Sequence, residues 1–150
     1  MFTDHVALPF RLGFSEVKRI FRARGVDEKV VLIGSGKLGL PPAAVLAFAM
    51  GCDLINVARE AMLSIGCIQA QRCHTGHCPT GVATQSRWLM HGLDPADKSA
   101  RLANYVTMLR KELLQVSWAC GVEHPAHIAL ERLELLDGVS RSQSAAELFS

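Results

Sequence analysis

Two short apolar runs, Val30-Val31-Leu32-Ile33 and Asp53-Leu54-Ile55-Asn56-Val57-Ala58, flank a segment that opens on Pro41-Pro42 and closes on Gly51. An unbroken β-branched run such as the first is the pattern of a strand buried on both sides in a parallel sheet. Proline suits the first position of a helix, whose N–H has no intrahelical partner, and glycine suits the position just past its end. The segment from Pro41 or Pro42 to about Met50 therefore reads as a short apolar helix. Strand, helix and strand with short connections make a βαβ crossover, which requires parallel strands and places the chain in the α/β class. Ahead of it, Ser15 is the expected N-cap of a helix over Glu16–Arg24, with Val17, Ile20 and Phe21 on one face and Gly25 as its stop.

Length limits what this unit can become. A chain of 150 residues suffices for one domain with a core, but a complete eight-fold β/α barrel needs roughly 200–250 residues. With 49% hydrophobic and 20% charged residues the composition is globular rather than disordered. A net charge of +2 is too mild to point to nucleic acid or an anionic membrane as the main partner. The greasiest run, Leu40–Met50, is interrupted by two prolines and falls short of the ~20 residues of a spanning helix. Met1–Arg11 carries Asp4 and His5 and lacks the apolar core of a secretory signal. Five cysteines, three of them crowded together, suit intracellular metal or redox chemistry better than a disulfide framework. The cytoplasm is the expected compartment.

Beyond Arg59 the pattern changes. Glu60–Gly66 reads as a brief helix, and Cys67–Gln85, dense in Cys, His, Thr, Gly and Pro, as a long functional loop. Asp94 and Pro95 then open a strong helix with Leu102, Val106, Leu109, Leu113, Val116 and Cys120 along one face, ended by Gly121. A second short helix is expected over His127–Leu135, and residues 138–150, rich in serine, read as a disordered tail.

Three features can carry chemistry. The loop Gly34-Ser35-Gly36-Lys37-Leu38-Gly39 spells a dinucleotide-type glycine pattern, but Pro41 and Pro42 follow too closely for its third glycine to lie within a helix. Leu38 stands where a nucleotide-triphosphate loop has Ser or Thr for magnesium. The loop is then either a wider anion cradle, with backbone N–H groups, the Ser35 hydroxyl and the Lys37 charge, or a tight strand-to-helix turn with an exposed lysine. Arg59, at the end of the second run, is an ordinary surface residue by itself and a second anion clamp when paired with that loop. Finally, Cys67, Cys73 and Cys78 are spaced C-x5-C-x4-C. On a continuous helix Cys73 and Cys78 would point about 140° apart, so they converge only if the backbone wraps around a centre, which Gly76 and Pro79 permit. Three thiolates suit a [3Fe-4S] cluster, or zinc completed by His74 or His77. Cys52 and Cys120 read as small apolar fillers.

The runs Ile33–Lys37, Asp53–Arg59, Gly66–Ala70, Cys73-His74-Thr75 and His77–Gln85, with Asp97-Lys98 and Arg101–Tyr105 in the long helix, resemble the FMN- and iron–sulfur-binding domain of glutamate synthase. The likeness extends from about Asp4 to Asp137 and is most specific over Cys67–Gln85. It implies the C-terminal portion of a (β/α)8 TIM-like barrel (1–66), an iron–sulfur loop (67–85) and C-terminal helices (94–137), making a partial FMN-binding domain over 1–137. It further implies that Ser35, Gly36, Lys37, Ala58 and Arg59 hold the FMN phosphate and that Cys67, Cys73 and Cys78 ligate a [3Fe-4S] cluster. In the family, reduced FMN converts 2-iminoglutarate, formed from 2-oxoglutarate and ammonia, into L-glutamate. The electron donor is ferredoxin or an NAD(P)H-dependent subunit. Two strands cannot close a barrel, so the chain is expected to be a fragment of a longer polypeptide or to be completed by a partner. The alternatives are a zinc-stabilised, non-catalytic interaction module and an inactive truncated fragment.

Overall fold

The computed structural model describes residues 7–137 and 141–149. Asp4, His5, Gly138 and Ser140, which enter the readings above, lie outside the described residues.

The first helix, α1 (Phe10–Ala23), starts well before Ser15, with Pro9 at its N-cap. Ser15 is an interior residue whose hydroxyl donates to the Leu12 carbonyl at 3.0 Å. Phe10 and Phe14 explain the earlier start. One turn apart, their rings stack with centroids 5.2 Å apart and pack on Leu38, Ala47 and Cys52. Val17 and Ile20, the expected buried face, remain exposed.

Strand β1 (Ile33–Ser35) and strand β2 (Leu54–Asn56) pair in parallel, with Ile33 opposite Leu54 and Ser35 opposite Asn56, joined through α2 (Pro41–Ala49). The βαβ unit thus forms as the sequence predicts, including Pro41 at the first helical position. Strand β1 is displaced toward the glycine loop, because Asp53 occupies the preceding pairing position. Its carboxylate accepts from the Leu32 N–H at 2.7 Å, and its own N–H donates to the Leu32 carbonyl at 2.9 Å. Nor is the apolar run buried on both sides. Gly34 faces the helices and is buried, whereas Val31, Ile33 and Leu54 are more than half exposed. The side chains alternate across the strand, and among the described residues only one face of this two-stranded sheet is covered and neither edge is paired.

Helix α2 is the centre of the core, with Ala44, Val45, Leu46 and Ala47 all buried. Helix α3 (Arg59–Ser64), the loop with a single 3-10 turn at Cys73–Thr75, and α4 (Arg87–Met90) lead to the long helix α5 (Pro95–Ala119). The Asp94 carboxylate caps α5 by accepting from the Ala96 N–H at 3.0 Å. Leu109, Leu113, Val116 and Cys120 pack on Ala44 and Val45, while Leu102 and Val106 at the other end of the same stripe stay exposed.

The C-terminal region differs from expectation. In place of a helix over His127–Leu135 there are two single 3-10 turns, Pro125–His127 and Leu130–Arg132, and then β3 (Glu134–Asp137). Leu133 and Leu135 both pack on the cluster of Leu46, Met50 and Ala145, and residues two apart share a face only in extended chain. Strand β4 (Arg141–Ser144) pairs antiparallel with β3 and runs into α6 (Ala145–Phe149). Residues 141–149 are therefore built into the fold rather than frayed, anchored by the fully buried Ala145.

Candidate functional site

The C-terminal ends of β1 and β2 open into one cavity of about 730 Å³. Ser35, Gly36 and Lys37 line it from the loop after β1, and Ala58 and Arg59 from the segment after β2. The structure thus brings together all five residues proposed for the phosphate. The first turn of α1 adds Phe10 and Arg11, and α3 adds Glu60. Three basic side chains, Arg11, Lys37 and Arg59, face one carboxylate there, which biases the cavity toward anions.

Local packing fixes this loop. A Cβ on Gly34 would lie 2.6 Å from the Cys52 sulfur and 3.1 Å from the Phe10 ring, so glycine is required for β1 to approach the end of α2. Burial, and then the negative charge of Asp53, push the Cys52 thiol up to about 11, consistent with an uncharged filler. Lys37 adopts the left-handed conformation, with φ of +60°, which costs a residue with a Cβ about 1–2 kcal/mol. Such strain persists where surrounding structure enforces it, commonly at ligand-binding loops. Pro41 and Pro42 supply no N–H at the start of α2, so the donors that line the cavity belong to the loop after β1, to the backbone around Ala58 and Arg59 and to the cationic side chains. This donor set fits a phosphate group.

The cysteine segment is organised differently. Cys73 is exposed, Cys67 half-buried and Cys78 buried. The Cys67 sulfur accepts from the Gln69 N–H at 3.4 Å, and the Cys78 sulfur lies 3.4 Å from the Thr80 hydroxyl. The Thr80 hydroxyl, followed by backbone N–H groups of Ala83 and Thr80, holds the Cys78 thiol down to about 7. Such an environment favours thiolate. His74 and His77 are exposed, and the His77 N–H donates to the Thr75 hydroxyl at 3.2 Å. Among the described residues no three His, Cys, Asp or Glu side chains gather into a metal-binding set. The three thiols are on one loop but do not converge.

Two residues of the site escape sequence reasoning. Arg11 lies in a helix whose start was misplaced, so nothing linked it to the cavity. Tyr105 donates its hydroxyl to the Gly39 carbonyl at 2.7 Å across 66 positions, a span that no local pattern encodes.

The family model described as a conserved region in glutamate synthase matches residues 1–123. The chain belongs to the glutamate synthase family. The glutamate synthase large subunit-like protein YerD of Bacillus subtilis is 37% identical over 130 residues, covering 87% of this chain and 25% of that protein. An archaeal glutamate synthase [NADPH] of Methanocaldococcus jannaschii is 29% identical over 148 residues, 99% of this chain and 29% of its own length. A ferredoxin-dependent glutamate synthase of Cyanidium caldarium is 33% identical over 119 residues, 79% of this chain but 8% of its own length. The chain therefore spans between a quarter and three tenths of the first two glutamate synthase relatives. No helix among the described residues is long and apolar enough to cross a membrane.

Proposed function

We propose that this chain is the part of a glutamate synthase-type oxidoreductase that holds the FMN phosphate and carries the ligands of a [3Fe-4S] cluster, the whole enzyme making L-glutamate from 2-oxoglutarate and ammonia or glutamine. The observation that carries the reading is the cavity at the C-terminal ends of two parallel strands, lined by Ser35, Gly36, Lys37, Ala58 and Arg59. Ligands of α/β sheets and barrels bind at that end of the strands. Ser35 and the loop N–H groups would orient the phosphate, while Lys37 and Arg59 would neutralise its charge. Bound FMN would supply reducing equivalents for converting an imine into an amine. Cys67, Cys73 and Cys78 are the proposed cluster ligands, on the strength of their spacing and the family. Metal binding would have to draw the exposed Cys73 toward the buried Cys78.

The open face of β1 and β2, with Val31, Ile33 and Leu54 exposed, and the chain's share of its relatives' length support completion of a TIM-like barrel by further strands. Those strands would come from the same longer polypeptide or from a partner subunit, and electrons from ferredoxin or an NAD(P)H-dependent subunit. Reduced thiols and a cluster suit the cytoplasm.

Quenching of FMN fluorescence on titration tests the phosphate site. Lys37→Ala and Arg59→Ala are each expected to weaken FMN about tenfold or more. Unchanged affinity in both would overturn the assignment. Anaerobic reconstitution with iron and sulfide, followed by EPR, tests the cluster. Uptake of zinc alone, lost in His77→Ala, would instead support the zinc-stabilised module.

A further inference from the structure

Gly39 closes the glycine loop and is buried. Its surroundings are too close for any side chain. A Cβ there would lie 2.5 Å from the Glu60 Oε2 atom and 2.7 Å from both the Glu60 Cβ and the Tyr105 hydroxyl oxygen. Three segments therefore meet at one peptide: the loop after β1, α3 through Glu60, and α5 through Tyr105. Helix α2 begins with the Ala44 N–H bonded to the Leu40 carbonyl, so the carbonyl of Gly39 precedes the helical ladder. Its hydrogen bond comes from Tyr105 at 2.7 Å, and a buried carbonyl without a donor would be destabilising. Glu60 directly follows Arg59 and lines the same cavity as Ser35, Gly36 and Lys37.

We infer that Tyr105 is a positioning residue for the phosphate cradle, fixing the Gly39 peptide so that the strained loop presents Ser35, Gly36 and Lys37 to the anion. This rests on the reading of the cavity as the FMN phosphate site. Burial, and then the negative charge of Glu60, raise the Tyr105 hydroxyl above its ordinary range. The group therefore stays a donor at neutral pH.

The experiment uses the full chain and FMN itself. Tyr105→Phe removes only the hydroxyl, and is expected to weaken FMN about three- to tenfold. In a Lys37→Ala background the same change should cost less than it does alone, because part of what Tyr105 positions is the Lys37 charge. Backbone hydrogen exchange supplies a readout that does not depend on flavin. Amides 36–40 should exchange faster in Tyr105→Phe, with amides 54–56 unchanged. Equal acceleration throughout, or FMN affinity within twofold of the parent chain, would overturn the inference and leave the phosphate site standing. Additive losses in the double variant would also overturn it, reducing Tyr105 to general support. Should the parent chain fail to bind FMN, both the cavity reading and the inference fall.

Discussion

The loop after β1 and the loop after α3 both carry residues proposed to hold a cofactor, yet they are built differently. The first is fixed by its own packing. Its backbone is pinned by Gly34 against Cys52, by Gly39 between Glu60 and Tyr105, and by a lysine held at φ of +60°. The second holds one buried, one half-buried and one exposed cysteine, and the Cys67 and Cys78 sulfurs bond to near neighbours in the chain. The difference follows from the chemistry. An anion cradle is made of N–H groups and cations whose placement the packed core can dictate. A thiolate site draws its organisation from the metal, and binding energy there is partly folding energy.

The largest effects should come from the proposed cluster ligands. Serine in place of Cys67, Cys73 or Cys78 should reduce iron and sulfide incorporation to background after anaerobic reconstitution, and retention of a full cluster in any one would remove that residue from the set. Next is the pinned loop. Gly34→Ala should cost about 2 kcal/mol in chemical denaturation, from contact with the Cys52 sulfur. Adding Cys52→Ala should recover part of that loss. An additive pair would show that the sulfur is not what the glycine makes room for.

A pH dependence gives a finer test of the same contact. The Cys52 thiol titrates higher in the folded chain than its ordinary 9.0, at about 11. Between those values the unfolded chain has lost the proton and the folded one keeps it, so this group's contribution falls as pH rises from about 9 to about 11. Stability of Cys52→Ala should fall less steeply over that window, as followed by thermal melts. Smaller still, Lys37→Gly should raise stability by roughly 0.5 kcal/mol, since relief of left-handed strain outweighs added freedom in the unfolded chain. It should weaken FMN binding at the same time. Smallest of all, Cys73→Ser in the metal-free chain should change stability by less than about 0.5 kcal/mol, the thiol being exposed.

How much of this could be read from the sequence follows the same division. The βαβ unit, its proline start and the Asp94 cap were legible, because proline, glycine and aspartate act within one turn of where they stand. Ser35, Gly36, Lys37 and Arg59 also stand out as an anion cradle, whereas Ala58 comes only from the family resemblance. The start of α1 was not, since Phe10 and Phe14 earn their helical positions only against Leu38, Ala47 and Cys52. The same holds for β3, where an apolar spacing compatible with a helix is settled by the pocket around Ala145, and for β4, whose polar run reads as a tail until β3 pairs with it. Burial of the first strand on both faces is not met among the described residues, because the number of neighbouring strands is not written in a strand. Tyr105 stands in a run that carries the family resemblance, but its role is not legible for the same reason: its partner is 66 positions away.

Helix α5 rests on α2 through Leu109, Leu113 and Val116 and also contacts α3, with Tyr105 hydrogen-bonded to Gly39. The peptide link between the two halves runs through the cysteine segment, which contributes no residue to the core clusters. A protease that clipped near Arg72 would separate the ends without removing those contacts, leaving two pieces that travel together through a sizing column. The covalent path and the mechanical path through this molecule are not the same.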